Sequence, residues 1–486
     1  MTAISTEAEA GLADGAPRKG RVSAGGTLLG ANLLEAILPF LRNIALARLI
    51  APDQFGLAIS LSVVLGMIEV ITDFGLPIFA VSKTTTASDD EIMPTLQSLA
   101  LLRAAAIGAV LAAASPFVAQ LFGATDKAWV YALLGVIALL RGFNNLGPKE
   151  CMRHYVFWRE ATVISTTQTV WAVVTVAIAA LQGGFECMIW GMLAATVAEV
   201  ALTHGLSPRP YRLGWNADAA KDASRFGRPL LVNGMAVSLA MGDRLLVGSL
   251  LGPSALALYN VAYGTATLPR SVLSKFLNSM FVPIFTNSRA QPERFARVSD
   301  LWAWLLSALG CFYGLGLALL GDEVLGLVFG AHYRPTRLFM CLAGMSVFVK
   351  FMMMLPVPAA YASGRTRLVS LGSIMSACAV APAGLILILT RNLDAFLLTI
   401  VAAEFGAAII YARWALRAQA FTPRVAWLCL GAPLAPLAAL ALLAWTTPQL
   451  ARLDWAMACF GGVAAAAAFY GAVAVMFRID FRTLLH

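Results

Sequence analysis

The 486-residue sequence is too apolar for a water-soluble protein. Hydrophobic residues make up 59% of the chain and charged residues 13%, whereas soluble domains average about 45–50% and about 25%. So few charges cannot cover a water-exposed surface, which excludes a cytosolic enzyme and leaves a polytopic membrane protein. The net charge of +9 is spread over scattered loops, so it indicates orientation in a membrane and not a nucleic-acid interface.

Fourteen apolar segments, each of about the length that crosses a bilayer, follow one another along the chain. Only a helix satisfies its own backbone hydrogen bonds in lipid, so the predicted fold class is an all-α polytopic membrane protein with about 14 transmembrane helices. In chain order the segments are 23–49, 55–81, 94–121, 128–147, 155–181, 184–203, 229–251, 254–283, 300–320, 335–362, 366–390, 393–416, 425–446 and 455–477.

Charge distribution predicts the orientation of these helices. The polar N-terminal tail, 1–22, has no apolar core or small-residue cleavage pattern of a signal peptide. With this tail in the cytoplasm, the predicted cytoplasmic tails and loops carry about four times as many Lys and Arg as the outer loops. We therefore expect both termini, including the C-terminal tail 478–486, to be cytoplasmic.

Two pairs of similar segments indicate an internal repeat. Arg48–Ala58 aligns with Ser249–Tyr259, and Leu121–Ala124 aligns with Val328–Ala331. Both pairs are separated by about 200 residues, so the two halves of the chain are predicted to be related units.

The repeat predicts how the helices are grouped. Helices 1–6 form one bundle over 23–203, and helices 7–12 form a second over 229–416, joined by a cytoplasmic connecting loop at 204–228. An even number of helices per unit makes the two bundles parallel repeats about an axis along the membrane normal. The helix pair within 425–477 has no counterpart and follows as a C-terminal addition.

Polar residues inside the predicted spans mark candidate functional positions, because such groups usually face a cavity or a partner. Helices 2 and 8 each carry a polar stripe at helical spacing, acidic in helix 2 and basic at the corresponding place in helix 8. This correspondence predicts a shared polar cavity lined by helices 1, 2, 7 and 8. The candidates, with one further base from helix 10, are Asn32, Glu35, Arg42, Glu69, Asp73, Asp243, Tyr263, Thr267, Arg270, Ser274, Lys275 and Lys350.

Structural interpretations of the same residues remain open. Glu35 with Arg42, and Asp243 with Arg244, are spaced for structural ion pairs, and Glu404 suits a single buried neutral acid. The seven cysteines and four histidines are dispersed without paired spacing. We therefore expect no metal site, disulfide framework or cofactor.

Several motifs resemble those of the bacterial oligosaccharide flippases, the Wzx-like polysaccharide transport branch of the MOP superfamily. The resemblance covers essentially the whole chain, but its motifs are loose and consist mostly of single Gly, Pro, Asp and Arg positions. They are Arg48, Pro52, Phe55 and Gly56; Asp73, Gly75 and Leu76; Asp243, Gly248 and Gly252; Tyr259 and Ala262; and Val328 to Tyr333.

The resemblance implies a transporter of the bacterial inner membrane and not an enzyme. Its substrate would be an undecaprenyl-diphosphate-linked oligosaccharide for exopolysaccharide or lipopolysaccharide assembly, flipped to the outer leaflet by alternating access. Expected partners are this substrate, membrane lipids, a polysaccharide polymerase and a chain-length regulator.

The same resemblance, taken by helix and face, gives the polar candidates roles. The expected contacts to the substrate headgroup in a cationic cavity are Arg42, Arg270, Lys275 and Lys350. The expected polar lining is Asn32, Tyr263, Thr267, Ser274 and Asp243. Glu35, Glu69 and Asp73 are expected to couple transport to a proton or sodium ion.

Two other functions compete with this one. A MATE-like cation-coupled multidrug exporter is the nearer alternative, although such proteins typically have twelve helices and favour an acidic cavity. A membrane enzyme would need catalytic groups outside the bilayer. The outer connection Gly321–Pro335 offers only a short charged turn with Asp322, Glu323, His332 and Arg334.

Overall fold

A computed structural model gives the fold of the chain and describes residues 18–82, 89–154, 156–271, 273–274, 292–354, 366–417, 434–447 and 450–476. These residues form helices joined by short connections, and this described part of the chain contains no strand. The predicted all-α fold is confirmed. Residues 1–17 of the predicted N-terminal tail 1–22 and the whole predicted C-terminal tail 478–486 lie outside the described residues, whereas residues 18–22 are helical.

The first half of the chain supplies nine helices to the described part. They are α1 (Arg18–Leu49), α2 (Pro52–Ile71), α3 (Leu76–Ser82), α4 (Asp89–Leu121), α5 (Ala128–Arg141), α6 (Gly147–Glu150), α7 (Trp158–Gln182), α8 (Glu186–Gly205) and α9 (Ala217–Ala240).

The second half of the chain begins with two short helices and a π-helical turn, and longer helices follow. They are α10 (Gly242–Leu251), α11 (Pro253–Tyr259), a π-helical turn (Asn260–Gly264), α12 (Pro292–Phe329), α13 (Arg337–Met352), α14 (Thr366–Thr390), α15 (Leu393–Arg417), α16 (Leu434–Thr446) and α17 (Arg452–Met476). Each of the fourteen predicted segments overlaps one or more of these helices.

Eight of the described helical stretches have the length and hydropathy that a membrane crossing requires, the shortest being Leu393–Ile410 with 18 residues. The protein is therefore a multi-pass membrane protein. The count of fourteen spans and the cytoplasmic position of the termini stay predictions.

The chain folds into two compact units. The first comprises Met1–Leu49 and Thr72–Leu231, and the second comprises Ile50–Ile71 and Val232–His486. Helix α2 thus belongs to the second unit, although it precedes most of the first unit in sequence. The predicted division of the chain at 204–228 into two six-helix bundles stays a prediction.

The predicted segment 55–81 is interrupted after Ile71. The Asp73 carboxylate accepts a hydrogen bond from the backbone N–H of Gly75 at 2.9 Å, and Gly75 has a φ of 62°. A side chain that caps the chain locally, followed by a left-handed residue, ends the helix and turns the backbone. Asp73 therefore lies beyond the polar stripe that its spacing predicted.

The connection before α9 is held against α4 of the first unit by hydrogen bonds. Its backbone bonds to side chains of α4: Ser98 Oγ lies 2.8 Å from Gly214 O, and Thr95 Oγ1 accepts from Asn216 N at 3.0 Å. Asn216 Oδ1 then accepts the N–H of Asp218 at 3.0 Å and caps α9. Helix α9 consequently begins within the predicted loop 204–228.

A close helix approach holds α2 to α11 in the second unit. A Cβ atom on Gly56 would lie 1.8 Å from the carbonyl oxygen of Pro253, so only glycine permits this backbone contact. Beside it, the Ser254 hydroxyl donates to Asp53, and the rings of Phe55 and Tyr333 pack edge to face. The two aligned copies of the repeat motif thus contact each other directly.

Candidate functional site

A buried network of polar side chains surrounds Lys350 in the second unit. Ser346 and Lys350 are one turn apart on α13, which places them on one face of that helix. Lys350 Nζ lies 2.6 Å from Glu404 Oε1 on α15 and 3.0 Å from Ser346 Oγ. Ser346 Oγ donates to Glu404 Oε2 at 2.6 Å, so both carboxylate oxygens are engaged.

Tyr263 joins this network from the π-helical turn. Its hydroxyl lies 2.8 Å from Ser346 Oγ and accepts a hydrogen bond from Lys350 Nζ, which is also 4.7 Å from the centre of the Tyr263 ring. Turns of the π type are rare and concentrate at functional sites. Three separate elements therefore meet at one ionic group.

Asp243 is connected to this network through Tyr259. Tyr259 stacks on Tyr263 with ring centres 5.2 Å apart, and its hydroxyl donates to Asp243 Oδ2 at 2.7 Å. Asp243 Oδ1 accepts the backbone N–H of Arg244 at 2.7 Å. Asp243, predicted to line the cavity, is buried, and both of its oxygens have partners in the protein.

Arg270 is the second cation of this unit. It is half-buried, and Glu404 and Tyr263 act on its charge electrostatically. Its Nε is buried and has no hydrogen-bond partner among the described residues. Among the described residues, no carboxylate lies within ion-pair distance of Arg270. Lys350 is thus paired with Glu404, whereas Arg270 interacts with the same carboxylate only at longer range.

Arg42 occupies a different environment in the first unit. Its side chain is 5% exposed, and its guanidinium carbon lies 4.0 Å from the centre of the Trp171 ring on α7. In the described part of the chain, its Nη2 donates a long hydrogen bond of 3.4 Å to Asn43 Oδ1, and its Nε has no hydrogen-bond partner. Within the described part of the chain, Arg42 has no carboxylate partner.

Further polar atoms on α7 share this lack of partners. Trp171 Nε1 and Gln168 Oε1 are buried without hydrogen bonds in the described structure, as is Thr167 Oγ1. Buried polar atoms usually have a partner in a folded protein, and exceptions accompany ligands or water. Arg42 and Trp171, which contact each other, thus each have a buried N–H group that an anionic or polar ligand would satisfy.

The three acids predicted to couple ions do not come together in one unit. Glu35 on α1 and Glu69 on α2 are half-buried, but they belong to the first and second units respectively. Asp73 is exposed, and its carboxylate lies 3.9 Å from Arg103 Nη1. Their coupling role stays a prediction.

The remaining candidates have less distinctive surroundings. Asn32 and Ser274 are half-buried. Thr267 Oγ1 donates to the backbone oxygen of Tyr263 at 2.9 Å, so its hydroxyl is used within its own helix. Lys275 lies outside the described residues.

The sequence interpretation missed Glu404, Ser346 and Trp171. Glu404 is not a lone neutral acid, since it pairs with Lys350. The available signal was a base in segment 335–362 and an acid in segment 393–416, two predicted spans of the same bundle, because such residues tend to pair inside a membrane. No comparable signal pointed to Trp171, because tryptophan is common in apolar helices.

Comparison with known proteins places these features in a family. The model of the polysaccharide biosynthesis proteins matches residues 45–337, which is more than half of the chain and includes Tyr263 and Arg270. The chain belongs to this polysaccharide biosynthesis family. The resemblance inferred from the sequence motifs is thereby confirmed.

One curated relative of the chain is the succinoglycan biosynthesis transport protein ExoT of Rhizobium meliloti (strain 1021). The two are 22% identical over 303 residues, which is 61% of this chain and 60% of the relative. The match therefore spans less than two thirds of the relative's length.

Solved structures of transporters share the fold. The lipid II flippase MurJ in an inward closed conformation matches with a TM-score of 0.69 at 11% identity, covering 94% of this chain and all of that one. A multidrug resistance MATE family transporter of the MOP superfamily, inward-facing, matches with a TM-score of 0.59 at 15% identity, covering 79% of this chain and 94% of that one. At such identities the likeness shows the fold alone.

Proposed function

We propose that the protein is a flippase that moves an undecaprenyl-diphosphate-linked oligosaccharide from the cytoplasmic to the outer leaflet of the inner membrane by alternating access. Membership in the polysaccharide biosynthesis family supports the glycan part of this proposal. The fold, which is similar to that of a solved lipid II flippase, supports the transport part.

The observation that carries the proposal is the burial of Arg42, which has no carboxylate partner among the residues that the structure describes. Removing a charged side chain from water costs several kcal/mol unless other groups compensate for the lost hydration. Such residues inside membranes mark substrate or ion pathways. Because guanidinium groups donate two parallel hydrogen bonds to phosphate oxygens, a diphosphate is a suitable counter-anion.

The other cations complete the proposed headgroup contacts. Lys350, which pairs with Glu404 at 2.6 Å, and Arg270, which interacts with the same carboxylate at longer range, lie in the second unit. Lys275 is included because of its position in the sequence. The proposed polar lining comprises Asn32, Tyr263, Thr267, Ser274 and Asp243. We expect the polyprenyl tail to stay in lipid while the headgroup and glycan move.

The membrane potential assists this transport. Moving negative charge outward across an inside-negative membrane releases about 2.3 kcal/mol per elementary charge for each 100 mV. Glu35, Glu69 and Asp73 are proposed to bind a counter-transported proton or sodium ion. In the outer leaflet, the product becomes available to a polysaccharide polymerase and a chain-length regulator, which are the proposed partners.

Depletion of the protein in its native host tests the function. Spheroplasts from depleted cells are expected to keep the lipid-linked repeat unit inaccessible to an added glycosidase, and expression of the protein should restore access. If depletion leaves the sidedness of the lipid-linked glycan unchanged and raises ethidium accumulation, the protein is a drug exporter and the proposal is wrong.

A further inference from the structure

Lys350 has no free hydrogen-bonding capacity in the structure. A lysine ammonium carries three N–H donors, and Lys350 Nζ has three acceptors: Glu404 Oε1 at 2.6 Å, Ser346 Oγ at 3.0 Å and the Tyr263 hydroxyl. The hydroxyl groups of Ser346 and Tyr263 also have acceptors for their protons. Ser346 gives its proton to Glu404, and the Tyr263 hydroxyl has two acceptors within reach, Ser346 Oγ at 2.8 Å and Glu404 Oε1 at 3.5 Å. An anion therefore reaches Lys350 only after one of these acceptors leaves.

The charges around this network are unequal. Lys350 and Arg270 carry two positive charges. Glu404 carries one negative charge, which pairs with Lys350 at 2.6 Å and acts on Arg270 at longer range. A diphosphate diester carries about two negative charges, which match the two cations without Glu404. Once the headgroup is bound, the carboxylate is a surplus anion near it, and like charges at close range repel strongly when water is scarce.

We propose that Glu404 is an internal counter-anion that competes with the substrate diphosphate for Lys350 and drives the headgroup out at the end of transport. This inference rests on the proposed function. In the unoccupied protein, Glu404 neutralises Lys350; the diphosphate displaces it, and its return to Lys350 releases the product. Glu404 is thus a positioning residue for Lys350 that lowers substrate affinity in favour of turnover.

The experiment measures binding and transport in the same variants. Purified protein in lipid nanodiscs is titrated with farnesyl diphosphate as the probe and with farnesol as its uncharged counterpart. This probe is a monoester and carries about one more negative charge than the diester substrate, so it competes with Glu404 in the same way. Flipping is measured in proteoliposomes. Glu404→Gln keeps the shape and the hydrogen-bonding oxygen but removes the competing charge. We expect about tenfold tighter binding of farnesyl diphosphate, unchanged binding of farnesol, and a lower KM together with a lower kcat for flipping.

Two controls separate this role from a structural one. Glu323→Gln removes an exposed carboxylate that pairs with Arg452 at 2.6 Å. This variant should bind farnesyl diphosphate with the affinity of the wild type. Glu404→Asp keeps the charge of the ion pair and so leaves no buried cation unpaired. We expect it to tighten probe binding less than Glu404→Gln but in the same direction.

The outcomes distinguish the two proposals. Unchanged or weaker binding in both Glu404 variants, with wild-type protein that binds the probe and flips, would show that the pair is structural and would overturn the inference. Wild-type protein that neither binds farnesyl diphosphate nor flips a lipid-linked glycan would instead overturn the proposed function.

Discussion

Replacing Arg42 by methionine should have opposite effects on stability and transport. The substitution removes a cation–π contact to Trp171, which is worth about 2 kcal/mol in a desolvated place. It also removes a buried charge with no carboxylate partner in the described structure, whose desolvation costs several kcal/mol. The second effect is larger, so the free energy of unfolding should stay the same or rise.

Transport should fall in the same variant. Loss of a charged hydrogen-bonding partner for phosphate costs about 2–5 kcal/mol, so the affinity for a polyprenyl diphosphate should drop about 30-fold or more. The measurements are thermal unfolding in detergent and flipping in proteoliposomes. Arg413→Met removes an exposed arginine of α15 and serves as the control. A destabilised Arg42→Met variant that flips at the wild-type rate would refute the reasoning.

Three further predictions concern other parts of the account. Gly56→Ala forces a Cβ to within 1.8 Å of a backbone oxygen of α11, whereas the Cβ of Gly66→Ala on the same helix meets no atom within 4 Å. We expect Gly56→Ala to lower the midpoint of thermal unfolding and Gly66→Ala to leave it unchanged. Equal midpoints would contradict the close packing of α2 on α11. Trp171→Leu removes the aromatic ring beneath the buried guanidinium, so flipping should slow several-fold while Trp171→Phe stays close to wild type; equal rates in both would show that the ring has no role. The double variant Glu69→Gln, Asp73→Asn should lose the dependence of flipping on pH or sodium, and an unaltered dependence would remove these residues from the coupling mechanism.

The sequence predicted the helices well because the bilayer leaves few alternatives. An apolar stretch of about 20 residues in lipid must be helical, so composition alone identified the segments that became α1, α4, α7 and α8. The interruptions were not predictable in this way. The turn after Ile71 depends on one capping contact of Asp73 with Gly75, and hydropathy carries no signal for such a contact.

The sequence predicted single residues of the candidate site but not which of them contact each other. Intramembrane charge singled out Arg42, Arg270 and Lys350, because charged groups are rare in lipid. Pairing is a property of three-dimensional packing, so the sequence did not reveal that α13 and α15 bring Lys350 to Glu404. The placement of Arg42 on an aromatic ring of α7 depends on packing in the same way.

Flipping by the purified protein tests the central claim most directly. The wild-type chain would be reconstituted into liposomes with a fluorescent undecaprenyl-diphosphate oligosaccharide, under an imposed membrane potential, and the access of an external glycosidase to the glycan would be followed. Our account predicts that the protected fraction becomes accessible faster than in empty liposomes, and that Arg42→Met abolishes this increase. Access no faster than in empty liposomes, with several glycans and with the potential present, would contradict the account.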